Sequence, residues 1–292
     1  MGLEPLWDGA LASVFGLLIG SFLNVVVYRL PKMMEHQWAA EVQKYGAQAG
    51  PQENPTQEAV SPVFNLVRPR SRCRTCGHQV RWFENVPVLS YVFLRGRCSA
   101  CKTPIGARYV VVELATGAAF FFCAYRWGLG PTAFAWCGFS AALIALACID
   151  WDTTLLPDDI TLPLVWAGLL LAALQWIDVR LIDSVSGAAA GYLSLWLVYW
   201  GFKLLTGKEG MGYGDFKLFA ALGAWFGWQA LVPIILMSSV IGAVVGIVMK
   251  LTSALREGGY IPFGPFLVGA GLTAMVFGPQ AITATLFTAL GL

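Results

Sequence analysis

Two groups of side chains in this 292-residue sequence have the types and spacing for chemistry. The first is acidic. Asp150-Trp-Asp152 ends one apolar run and leads to Asp158-Asp159, while Asp215 and Lys217 follow Gly210-Met-Gly212-Tyr-Gly214 ahead of another. An ionisable residue at the edge of an apolar span is costly and is read as functional by default. Asp150 and Asp152 fall on nearly opposite faces of a helix, so at most one of them can meet Asp215. Asp150 directly continues the apolar run and is the expected partner. Two carboxylates held close share one proton and titrate as a unit. That state suits peptide hydrolysis: the ionised Asp takes a proton from attacking water, and the protonated one hydrogen-bonds the carbonyl and later helps protonate the leaving amine. Gly212 and Gly214 are expected to give a tight backbone that admits a substrate strand beside Asp215, and Lys217 to favour the ionised carboxylate if it comes within reach. On physics alone the same pair could relay protons in an ion-coupled transporter. The run Gly210-x-Gly212-x-Gly214 resembles a nucleotide-binding loop, but no strand precedes it and no βαβ unit surrounds it.

The second group is the cysteines. Cys73-x-x-Cys76 and Cys98-x-x-Cys101 each lie in a short knuckle context, Cys-Arg-Thr-Cys-Gly-His and Cys-Ser-Ala-Cys-Lys. Two residues between thiolates let both sulfurs reach one tetrahedral ion, and two such pairs complete a four-sulfur site. One structural zinc per chain is the expectation, with redox cysteines or a metal-free reduced set as alternatives. His78 is a substitute ligand at most. Cys123, Cys137 and Cys148 lie in apolar stretches and read as packing residues.

The elements that must position these groups are membrane helices. Apolar residues make up 57% of the chain and charged ones 12%, about half the charge of a soluble domain, and the mean hydropathy is +0.65. An α-helical span needs about 20 apolar residues. Runs that fit are Gly9–Tyr28, Val110–Tyr125, Leu129–Ile149, Ile160–Ile177, Ser184–Phe202, two helices within Leu218–Met249 with a turn near Gln229 and Pro233, and one within Tyr260–Leu292. The expected fold is thus an all-α polytopic membrane protein of about eight transmembrane helices, with a cytoplasmic tetracysteine zinc module between the first and second. Its divisions are residues 1–28, 29–108 and 109–292. The first run lacks the basic start and cleavage site of a signal peptide. Counting Lys and Arg through eight spans puts 17 on the side of segment 29–108 and two opposite, so that segment and both acidic clusters are expected in the cytoplasm and both termini outside. The Arg cluster 68–74 reads as topology and anionic-headgroup contact rather than nucleic-acid binding, given a net charge of only +2. The pairs Gly187/Gly191, Gly223/Gly227 and Gly242/Gly246 suit close helix packing.

These residues, in this order, resemble the bacterial type IV prepilin peptidase family, the leader peptidase/N-methyltransferases. The resemblance runs through Gly20-Ser-Phe-Leu-Asn24, Arg29-Leu-Pro31, the two Cys-x-x-Cys pairs, Trp82-Phe-Glu-Asn-Val-Pro87, Arg108-Tyr109 with Glu113, Asp150 with Leu156-Pro157-Asp158, Gly207–Lys217 and Ile261-Pro-Phe-Gly-Pro265. It implies an inner-membrane aspartyl protease of the Gly-x-Gly-Asp type with Asp150 and Asp215 catalytic. Its substrates would be type IV prepilins and type II secretion pseudopilins, whose short basic leader it would remove on the cytoplasmic side. It would then methylate the new N-terminus with S-adenosylmethionine. Glu84, Asn85 and Gly96, beside the cysteines, are candidates for the methyl-donor site. Asp158, Asp159 and Glu209 are candidate contacts for leader Lys and Arg. A non-enzymatic assembly factor recruiting partners through the zinc module would leave the paired acidic clusters unexplained.

Overall fold

The structure is a computed structural model and describes residues 4–47, 64–208, 210–252 and 261–290. Among these the chain is helical, with no strand beyond two isolated bridges. The longer helices are α1 (Glu4–Ala47), α3 (Arg108–Trp127), α4 (Pro131–Thr153), α5 (Asp158–Ala173), α6 (Leu181–Thr206), α7 (Tyr213–Phe226), α8 (Leu231–Leu251), α9 (Gly264–Phe277) and α10 (Pro279–Leu290), with one short turn, α2 (Leu89–Phe93). Five of them are long and apolar enough to cross a bilayer, and the pair α9–α10, bent by 105°, makes a sixth if it acts as one broken span. Every apolar run expected to span contains a helix. However, α5 and α7 have only 16 and 14 residues, about 24 and 21 Å at 1.5 Å per residue, so among the described residues five or six crossings have the length of a full span, and a count of eight needs α5 and α7 to cross as short helices.

Two boundaries differ from the sequence reading. Helix α1 does not end where the charges begin: it continues through Pro31 to Ala47, because residues 32–47 are mostly good helix formers and only one backbone hydrogen bond is lost at the proline. The break after α7 opens at Gly227 and runs through a 3-10 turn, Trp228–Ala230, so it includes Gln229 but not Pro233. Gly227 has φ +79°, which a side chain would resist. Pro233 lies in the first turn of α8, where its missing N–H leaves no bond unmade.

The chain forms two compact units. In residues 10–121, α1 and α3 cross at small residues. A Cβ at Gly20 would lie 2.7 Å from Glu113 Cα, and one at Gly16 would lie 2.8 Å from the Thr116 carbonyl oxygen. Asn24 Nδ2 donates to the Tyr109 carbonyl at 3.0 Å. Buried Arg29 donates to the carbonyls of Asn65, Leu66 and Pro69 and so fixes the segment that leads into the cysteines.

The second unit holds residues 122–292 and the start of α1. Helix α7, which carries Asp215, is nearly all buried. It is clasped between α5 and α6: Trp225 Nε1 donates to Leu164 O at 2.9 Å and Ser184 Oγ to Ala224 O at 2.7 Å. Gly187 of α6 and Gly223 of α7 touch backbone to backbone, and a Cβ at Gly191 would lie 2.7 Å from Phe219 O. Lipid tails are as apolar as leucine, so such close packing and these interhelical hydrogen bonds, rather than exclusion from water, hold the helices together. Gly242 and Gly246 serve a looser contact: a Cβ at either would lie 3.1 Å from a side chain, Phe266 and Ile261 respectively.

Candidate active site and metal centre

Asp150 lies in the last turn of α4. Thr154 ends that helix in the left-handed conformation (φ +56°), its N–H donating to Asp150 O at 2.8 Å. The chain reverses there, so Leu156 and then Pro157, the N-cap of α5, follow at once. Asp215 is the third residue of α7, after the extended N-cap Gly212. Both carboxyl groups are buried, Asp150 4% and Asp215 7% exposed, and they are close enough for the charge of Asp150 to bear on Asp215. Asp152 is exposed, as expected for a residue on the opposite helix face.

Each carboxylate sits at a helix N-terminus, where unpaired N–H groups favour an anion. The backbone N–H of Gly212 faces Asp215. For Asp150 the donor comes from elsewhere in the chain: Gly264 N–H, at the start of α9, donates to Asp150 Oδ2 at 3.0 Å. A Cβ at Gly264 would lie 2.6 Å from that oxygen, and one at Gly214 would lie 2.6 Å from Leu156 Cβ. Leu156 is therefore wedged between the two glycines that flank the carboxylates. Asp215 Oδ1 is buried and has no hydrogen-bond partner among the described residues. A buried, unpaired carboxylate oxygen costs free energy and is where a water or a peptide group would bind.

The structure redistributes the supporting residues. Gly214 is required by Leu156, whereas a Cβ at Gly212 would lie at ordinary contact distance, 3.8 Å, from Asp215 Oδ2. Lys217 does not serve Asp215: its Nζ donates to both oxygens of Asp158 at 2.6 and 2.7 Å. Positions two apart on a helix point to different sides, so a cation at 217 cannot follow a buried carboxylate at 215. Asp158, a candidate contact for a basic leader, is thereby engaged; Asp159 is exposed; Glu209 lies outside the described residues. The sequence reading gave Gly264 no role. Its signal was Gly264-Pro265 opening an apolar run, a helix start with proline in the first turn.

The four cysteines form one cluster, all sulfurs lying within 4.8 Å of one another. Cys73 and Cys101 Sγ are 3.8 Å apart, Cys76 and Cys98 Sγ 4.0 Å, against about 3.8 Å for the edge of a tetrahedron with Zn–S bonds of about 2.3 Å. The two knuckles repeat each other. Cys73 N–H donates to His78 O and Gly77 N–H to Cys73 O; Cys98 N–H donates to Thr103 O and Lys102 N–H to Cys98 O. Gly77 and Lys102 share positive φ, and the bridges Arg72–Gln79 and Arg97–Pro104 close the two loops. The Thr103 hydroxyl and N–H pull the Cys101 thiol down to about 6. Although the His78 N–H favours the Cys76 thiolate, burial and the other sulfurs push it up to about 11. A divalent cation would relieve that repulsion, so the donor set fits zinc. His78 is not a ligand: it pairs with Glu84 Oε2 at 3.1 Å. Glu84 also accepts from Arg81 N–H at 2.8 Å, and that bond and the Ser99 hydroxyl draw its carboxyl down to about 2. Gly96 has φ +66° and Tyr91 packed on it. Asn85 is exposed.

Two family profiles match the chain: one described as the bacterial peptidase A24 N-terminal domain, over residues 14–127, and one described as the type IV leader peptidase family, over 137–247. Proteins named prepilin leader peptidase/N-methyltransferase are similar over nearly the whole length. That of Stutzerimonas stutzeri is 49% identical, over 97% of this chain and 94% of its own. That of Aeromonas hydrophila is 50% identical, over 92% and 90%, and that of Pseudomonas aeruginosa 49%, over 91% and 89%. No solved structure matches the chain.

Proposed function

Since this chain belongs to the type IV leader peptidase family, we propose that it removes the short basic leader of type IV prepilins and type II pseudopilins and then methylates the new N-terminus. The profile over residues 137–247 and the names of the relatives support cleavage and methylation. The observation that carries the mechanism is the pair of buried carboxyl groups, Asp150 and Asp215, each against a helix N-terminus.

In this reading the two Asp residues share one proton. The ionised one takes a proton from water as it attacks the scissile carbonyl, and the other donates a hydrogen bond to the carbonyl oxygen. Asp215 Oδ1, which has no hydrogen-bond partner among the described residues, is the oxygen left to engage water or the peptide. Gly264 holds Asp150 still while this happens.

The cysteine cluster would hold one structural zinc through Cys73, Cys76, Cys98 and Cys101. Bound there, the ion ties two knuckles together and supplies no catalytic chemistry. S-adenosylmethionine is the methyl donor in this reading. The oxygens of Glu84 are engaged within the module, and Tyr91 and positive φ explain Gly96 without a ligand, so these residues act through the fold around them.

The positive-inside count supports an inner-membrane protein of about eight spans, with Asp150 and Asp215 at the cytoplasmic face and both termini periplasmic. A prepilin has its leader in the cytoplasm and its apolar helix in the bilayer, so the cut site reaches the dyad laterally at the headgroup level. Co-expression with a prepilin and the mass of its N-terminal peptide tests the proposal in one spectrum. Loss of the leader and addition of one methyl group are expected; an intact leader overturns it.

A further inference from the structure

The segment between the two cysteine pairs carries apolar side chains that are exposed among the described residues. Trp82 is 83% exposed and Phe93 82%. Leu89 and Val92 are also exposed and share with Phe93 one face of the turn α2, at spacings i, i+3 and i+4. A contiguous exposed apolar patch on a folded surface marks an interaction site.

This patch is built in place. Val88, before α2, and Arg95, after it, both have positive φ, +59° and +52°, a conformation that a β-branched residue such as valine strongly resists. Ties at both ends hold it. Val88 N–H donates to the buried carboxylate of Glu113 at 2.8 Å. Gly96 N–H donates to Tyr91 O at 2.8 Å, and Ile105 N–H to Gly96 O at 2.7 Å.

These ties also set the depth of α2. Ile105 lies three residues before α3, and Glu113 five residues into it. Helix α2 thus runs beside the first turns of α3. Helix α3 is a candidate span of 20 residues, about 30 Å long and so just the thickness of the hydrocarbon core; it has no length to spare above the bilayer. A turn alongside its first residues lies at the boundary between headgroups and acyl chains. Exposed arginines flank the patch in sequence at 81, 95 and 97, a charge complementary to lipid phosphates. Tryptophan and phenylalanine beside arginine is the composition of an interfacial anchor.

We propose that Trp82, Phe83 and the outer face of α2, Leu89, Val92 and Phe93, insert into the interface of the lipid bilayer and seat the cysteine module against it. The partner is lipid with anionic headgroups, not a second protein. This surface is independent of the dyad and does not rest on the proposed reaction.

The test uses the full chain in vesicles of phosphatidylethanolamine and phosphatidylglycerol, with the photo-crosslinker p-benzoylphenylalanine placed at Phe93 and, in a second protein, at Leu89. A third protein carries it at Leu197, 62% exposed on the spanning helix α6, as the lipid-facing standard. Mass spectrometry after irradiation should show lipid adducts at Phe93 or Leu89 at no less than one third of the yield at Leu197. A lower lipid yield at both positions overturns the proposal, whether the probe is then unreacted, joined to a second copy of the chain or joined to an added prepilin peptide.

Discussion

Gly264 donates its backbone N–H to Asp150 Oδ2 at 3.0 Å, across 114 positions of sequence. That bond couples the start of α9 to the end of α4 and leaves no room for a side chain, since a Cβ at 264 would sit 2.6 Å from the same oxygen. The nearest atom that can yield is the carboxylate itself.

Gly264→Ala should therefore turn Asp150 away from its place. Misplacing a reacting group by about 1 Å costs up to about a hundredfold in rate, so kcat for leader cleavage should fall about 10- to 100-fold with KM nearly unchanged. Gly269→Ala, in the same helix with open space around it, should leave both constants alone. Leu156→Ala should not rescue Gly264→Ala. Full rescue would place the clash on Leu156, 3.4 Å from the added Cβ, and not on the carboxylate.

Replacing Asp150 or Asp215 by Asn should abolish cleavage while the protein still inserts. The two act as a unit, so the double variant should be no worse than either single one. Asp152, on the exposed face, should tolerate Asn with little loss. Cleavage of a prepilin followed on gels separates these outcomes.

Lys217 and Asp158 form an ion pair at the surface, with side chains 26% and 53% exposed. Exposed pairs contribute about 0–1 kcal/mol. Lys217→Met and Asp158→Asn should each change cleavage less than about threefold, and neither should move its pH profile. A displaced profile for Lys217→Met would show that the lysine acts on Asp215 after all.

Purified protein should hold about one zinc per chain, and Ser at Cys73, Cys76, Cys98 or Cys101 should release it. Thiolates are the ligands, so protons compete with the ion and zinc should be lost as pH falls, not as it rises. Metal content by emission spectroscopy, in the parent protein at falling pH and in each Ser variant, measures both effects.

Gly223→Ala should loosen the contact of α6 and α7. Its new Cβ would press on the backbone of Gly187, which cannot step aside as a side chain can. Overpacking of this kind costs about 1–3 kcal/mol, and thermal unfolding in detergent should occur earlier than in the parent protein.

Much of this protein was legible without coordinates because its signals are local. Apolar runs mark helices wherever the bilayer demands internal hydrogen bonding. Two Cys-x-x-Cys pairs bring their own geometry, since each knuckle closes through hydrogen bonds within six residues. Helical phase allows only one of Asp150 and Asp152 to face Asp215, continuity with the apolar run points to Asp150, and of the two it is Asp150 that is buried. Tertiary structure decided what depends on distant partners. Gly264, the reach of Lys217 to Asp158, and the wedge of Leu156 between Gly214 and Gly264 join residues that helical phase cannot bring together. The depth of α2 was equally hidden. Residues 29–108 read as one polar stretch by their charges, and it is the tertiary bonds, Val88 to Glu113 and Ile105 to Gly96, that tie their apolar turn to a spanning helix.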